Sequence, residues 1–160
     1  MKAFVGTGQG SPEDAVGQAT RGLTAPQAIL FMAPYDMVGE VAAQLKAAFP
    51  DTPSIGTIGT KLVNGEVSDT NVAVLGLFED AKVRCGVIEQ INRCPVAYAG
   101  EIEQKIMQVS PGREDTVCIE YCTGSEEKLV TTFTSCLEKK GIQLAGGTVF
   151  GVPDGKKPVV

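Results

Sequence analysis

Cys118, Glu120 and Cys122 alternate along the run Thr116-Val-Cys-Ile-Glu-Tyr-Cys122, so on a strand two thiols and a carboxylate share one face. Two thiolates and a carboxylate suit a zinc-like cation, but no fourth ligand follows nearby. Cys122 also precedes Thr123-Gly-Ser-Glu-Glu127, the start of a helix, where a thiol can be favoured as a nucleophile with Glu120 as acid or base. The acids Glu126 and Glu127 oppose that use. So does the total absence of histidine, which removes Ser-His-Asp and Cys-His nucleophile systems, His-based zinc sites and His-ligated haem. The five cysteines are odd in number, dispersed and without a C-x-x-C pair, which reads as reduced, mostly buried thiols.

Gly6-x-Gly8-x-Gly10 lies between a strand and a helix, the position of a phosphate cradle. The third glycine of the dinucleotide fingerprint would fall at Ser11, and Glu13 and Asp14 crowd the helix start with negative charge that repels phosphate. A flexible turn over residues 6–10 is the expectation. Pro34, Tyr35 and Asp36 follow the apolar run Gln27–Met32, at the carboxyl end of a strand, where ligands settle in open α/β sheets. Asp36 is also expected to cap the next helix. Gly56-Thr57 and Gly146-Gly147-Thr148 close two further strands, bare backbone beside a hydroxyl. Pro34, Tyr35, Asp36, Gly56, Thr57, Gly146, Gly147 and Thr148 are the candidate ligand-binding residues.

The elements that hold these residues repeat. An apolar strand, a polar loop, a helix and a strand ending in Gly-Thr occur over 27–57 and again over 116–148. Val38, Val41, Ala42, Leu45 and Phe49 keep helical spacing in the first copy; Leu129, Val130, Phe133, Cys136 and Leu137 keep it in the second, with Gly141 just past the helix end. A strand–helix–strand crossover of this length implies parallel pairing. Ser11-Pro12-Glu13-Asp14 is a strong helix start, and Asn64-Gly65 a strong hairpin turn. Residues 71–78 and 81–88 read as an antiparallel pair joined at Glu79-Asp80, and 95–109 as a helix. The fold class is therefore α/β: a mixed sheet with two β-α-β crossover units flanking an antiparallel meander, with helices packed on the sheet.

At 160 residues, 43% hydrophobic and 21% charged, the chain is expected to form one domain over 1–160. Its net charge of -5 and the lack of any basic cluster beyond Lys139-Lys140 argue against nucleic acid and anionic membrane surfaces. No apolar run reaches the roughly 20 residues that span a bilayer, so a cytoplasmic location is expected. No cofactor and no metal are called for. The apolar ending Pro158-Val-Val160 suggests a fragment of something longer.

Phe31-Met-Ala-Pro-Tyr-Asp36, Thr52-Pro-Ser-Ile-Gly-Thr57, Asn71-Val-Ala-Val-Leu-Gly-Leu77 and Ala145-Gly-Gly-Thr148, in that order, resemble the N-terminal part of the FIST domain, and the helix Ala15–Ala19 fits as well. Where the family usually has a Gly-Cys-Ser-Thr-x-Gly-Glu-like run, this chain has Gly56-Thr-Ile-Gly-Thr-Lys-Leu62, with threonine at the cysteine position and the acid lost. The resemblance implies a sensory domain of bacterial signal transduction that binds a small, amino-acid-like ligand. The implied partners are the C-terminal FIST half and an output module such as a chemotaxis transducer or kinase; a homodimer stays open. Haem, associated with some members, lacks a histidine here. The alternatives are a small-molecule enzyme using Cys122 with Glu120, and a non-catalytic assembly module.

Overall fold

Alternating and helically spaced apolar residues become strands and helices in the computed structural model, which describes residues 2–59, 61–63, 65–78, 81–112, 115–123 and 126–149. The expected tail over 151–160 lies outside the described residues. The chain divides into two compact units, one up to Cys85 and one from Gly86.

The first unit holds a four-stranded sheet in the order β1 (Lys2–Gly8), β6 (Val72–Phe78), β2 (Ala28–Ala33), β3 (Ser54–Ile58). β6 runs antiparallel to both neighbours, Phe4 opposite Gly76 and Phe31 opposite Val74, while β2 and β3 are parallel, Phe31 opposite Gly56. The parallel pair is joined through α2 (Val38–Ala48), as the crossover rule requires. Ser11 caps α1 (Pro12–Ala19) by accepting from the Asp14 N–H at 3.2 Å, and Pro12 opens the first turn. Ala15, Val16 and Ala19 of α1 join Ile29, Phe31 and Ala33 of β2, Val72 and Val74 of β6, and Val38, Val41, Ala42 and Leu45 of α2 in one buried core. A short hairpin, β4 (Lys61–Val63) and β5 (Glu66–Ser68), turns at Gly65, whose φ of +84° suits the Asn-Gly signal.

The expected turn over residues 6–10 is mostly strand. Gly6 and Gly8 face α1 so closely that a Cβ on either would strike the backbone oxygen of Ala19 or Ala15. These glycines let a helix of small residues lie against the strand, which accounts for the pattern without any phosphate. Asp36 does not cap α2 either. The helix starts one residue later than that role needs, with Met37 at the cap position and no side-chain cap. Asp36 instead sits exposed in a turn in which the Met37 N–H donates to the Pro34 carbonyl at 3.1 Å.

The strand expected over 81–88 is absent; these residues have no regular secondary structure. The reason is topological. Both edges of β6 are occupied, by β1 and β2, so a returning strand finds no free backbone beside it.

In the second unit β7 (Val117–Cys122) and β8 (Gln143–Thr148) are parallel and joined through α4 (Glu126–Leu137), the second crossover the sequence predicts. They form a two-stranded sheet of their own, with no strand pairing to the four-stranded one. The segment expected as one helix over 95–109 is a 3-10 turn, Pro95–Tyr98, leading into α3 (Ala99–Met107). α3 packs on α4, burying Ile102, Leu129, Cys136 and Leu137, with the Cys136 thiol toward the Ala99 carbonyl at 3.8 Å. Gly141, at φ +67°, ends the 3-10 turn that follows α4.

Candidate functional site

The candidate residues fall at two strand ends, one in each unit. In the first, Pro34, Tyr35 and Asp36 form the turn just beyond the last β2–β3 pair, Ala33 opposite Ile58; Tyr35 is half exposed and Asp36 exposed. Strand alternation sends Gly56 and Thr57 to opposite faces of the sheet. Gly56 faces the core, where a Cβ would run into the ring of Phe31. Thr57 lies on the other face, only 6% exposed, with its hydroxyl donating to the Ile58 carbonyl at 3.1 Å. The structure thus brings the 34–36 turn to the ends of β2 and β3 but gives Gly56 and Thr57 local packing partners.

The second strand end is richer. Gly146 and Gly147 have φ of +127° and +143°, conformations that side-chain-bearing residues rarely adopt. A Cβ on Gly146 would collide with the Glu120 backbone, whereas one on Gly147 would meet only the Glu126 Oε1, at 3.5 Å. Cys122 and Thr148 are direct register partners, Sγ to Oγ1 3.7 Å, and the exposed Thr148 hydroxyl donates to the Glu126 carboxylate. Glu120 and Cys122 sit behind them, 8% and 6% exposed. Burial raises the Glu120 carboxyl above the usual carboxylate range, the Glu126 charge adds to the rise, and a hydrogen bond from Cys122 opposes it. Burial, with help from Glu120, pushes the Cys118 thiol up to about 11.

This chemistry is acidic and hydrogen-bonded rather than metal-like. Among the described residues no group of three or more Cys, Asp or Glu is arranged to hold a metal ion, although Cys118, Glu120 and Cys122 share a strand. Among the described residues, Thr148 and Glu120 lie beside the Cys122 thiol, a hydroxyl and a carboxyl. Sequence reasoning missed the part played by Glu126. The available signal was two acids opening the helix that follows β7, with the end of the parallel partner strand beside them. It also missed an open groove of about 700 Å³ at the other end of the first sheet, where β2 and β3 begin, lined by Pro26, Phe49, Pro50, Pro53, Val83 and Arg84 among others. That groove lies at the amino ends of the strands, away from the loops where ligands settle in such sheets.

The profile of the FIST N domain matches residues 27–157. The chain belongs to the FIST family. It is accordingly a FIST N domain, a sensory domain of signalling proteins. The match begins just before β2 and includes both crossover units; β1 and α1 precede it, yet β1 pairs along all of β6. No curated protein and no solved structure matches the chain significantly. Among the described residues no helix of this FIST domain is long and apolar enough to cross a membrane.

Proposed function

We propose that this FIST N domain is a cytoplasmic sensor that binds a small, polar, amino-acid-like ligand and passes its occupancy to a partner, with residues 1–160 acting as one module. The reading is supported most by the carboxyl end of β8. There Gly146 and Gly147 leave the backbone bare, the exposed Thr148 hydroxyl sits beside them, and the Glu126 carboxylate is within reach. Bare backbone offers N–H and C=O groups to a ligand's carboxylate and amine, and Glu126 offers a counter-charge for an ammonium. We assign ligand contact to Gly146, Gly147 and Thr148 in the second unit, and to Pro34, Tyr35, Asp36, Gly56 and Thr57 in the first. Of the latter, Tyr35 and Asp36 are the exposed side chains.

Binding without catalysis is supported by the surroundings of Cys122, a hydroxyl and carboxyl groups with no histidine to activate the thiol. The C-terminal FIST half and an output domain, a chemotaxis transducer or a kinase, are the proposed partners, with a homodimer as a further arrangement. A thermal-shift screen of amino acids and related metabolites tests the reading. At least one should raise the melting temperature of the chain, and Thr148→Ala should reduce that rise. No shift with any compound, or rapid selective alkylation of Cys122 at neutral pH, would count against a sensor.

A further inference from the structure

We propose that Glu120, Cys122, Thr148 and Glu126 form a one-way hydrogen-bond chain that couples the protonation of buried Glu120 to the exposed end of β8. The available protons set the direction of the chain. Thr148 has one hydroxyl proton and gives it to Glu126, so toward Cys122 it can only accept. Cys122 has one thiol proton; the Thr148 oxygen lies 3.7 Å from its sulfur, and the buried Glu120 carboxyl shares its face of β7 two residues back. With Glu120 protonated, its own O–H can donate to the Cys122 sulfur, the thiol turns to Thr148, and every proton points toward Glu126. With Glu120 ionised, the carboxylate is the stronger acceptor and draws the thiol proton to itself. Thr148 then loses its donor, and two negative carboxylates, Glu120 and Glu126, stand at the ends of the chain.

The setting makes that change matter. Glu120 is 8% exposed, so its charge is poorly screened by solvent. The titratable groups that face it are Cys118 and Cys122 on its own strand and Glu126 at the start of α4. β8 carries no titratable side chain, and the neighbours of Glu126 on α4, Glu127 and Lys128, are exposed. No described cation offsets the pair, and the raised affinity of Glu120 for a proton agrees with this. Ionisation should therefore loosen the hold of Thr148 on the first turn of α4. The residues overlap the proposed ligand wall, but the coupling needs no ligand, so it can fail or hold independently of the sensor reading.

The test is an NMR titration of the whole chain from about pH 4 to about pH 8, following the side-chain carboxyl carbon of Glu120 and the backbone amides of Thr148 and Glu126. Glu120 should titrate above the ordinary glutamate range, and both amides should shift with the same midpoint. Glu120→Gln should abolish that step in both amides. Cys122→Ala should leave Glu120 titrating while Thr148 no longer follows, and Cys122→Ser, which keeps one proton and an acceptor, should restore the coupling. A flat Thr148 amide through the Glu120 titration, or an unchanged response in either Cys122→Ala or Glu120→Gln, would overturn the proposal.

Discussion

Thr57 and Thr148 occupy matching places in the two copies of the strand–helix–strand unit, yet their surroundings differ. Thr57 is buried and bonded to the Ile58 carbonyl, while Thr148 is exposed and bonded to a carboxylate. Thr57→Val should therefore cost stability, on the order of 1 kcal/mol for the lost hydrogen bond, as measured by chemical denaturation. Glu120 carries the clearest pH dependence. Its carboxyl binds a proton more tightly folded than unfolded, so its contribution to stability is complete below the unfolded value and is lost as pH rises through the folded one. Glu120→Gln should accordingly melt higher than the wild type at neutral pH and lose that advantage in acid. An equal gap at both pH values would contradict the buried, proton-hungry carboxyl. Cys118, pushed up to about 11, should stay a thiol at neutral pH and alkylate much more slowly in the folded chain than in urea.

At the scale of elements, the seam between β1 and α1 is a close fit. A Cβ at Gly8 meets the Ala15 backbone, which cannot swing aside as a side chain could. Gly8→Ala should destabilise the chain by about 1–3 kcal/mol, a cost seen as an earlier denaturation midpoint. An unchanged midpoint would mean that α1 does not lie against β1 as described. Native-state hydrogen exchange separates the strand reading of 81–88 from the structure: amides there should exchange far faster than those of β6, which is paired on both sides. Much of this level was legible in the sequence. Ser11-Pro12, the helical spacing from Val38 to Leu45 and the two crossovers each follow from local chemistry, and each stands in the structure. The strand over 81–88 was not readable correctly, because its alternating pattern is real but its would-be partner was already taken by β1. That competition between strands distant in sequence is invisible to any local window. The packing of Gly56 was hidden for a related reason: the Phe31 ring that a Cβ there would strike lies on the neighbouring strand, 25 positions earlier.

At the scale of the molecule, two compact units divide the chain, each built on its own crossover. The family match starts at residue 27, but the sheet of the first unit does not: without residues 1–26, β6 would lose one of its two partners and the core would lose Ala15, Val16, Ala19 and Leu23. A chain lacking residues 1–26 should therefore lose cooperative unfolding of the first unit, seen as a broadened or missing transition by circular dichroism. Ligand contact at the strand end Gly146–Thr148 is read out by calorimetric titration. Amino acids and related metabolites would be titrated into the wild type and Thr148→Ala, both shown folded. At least one polar, amine-bearing compound should bind saturably and be weakened by about tenfold in Thr148→Ala, the loss expected for one hydrogen bond to a charged group. Equal affinity in both, or no binding by the wild type, would contradict ligand contact at this strand end.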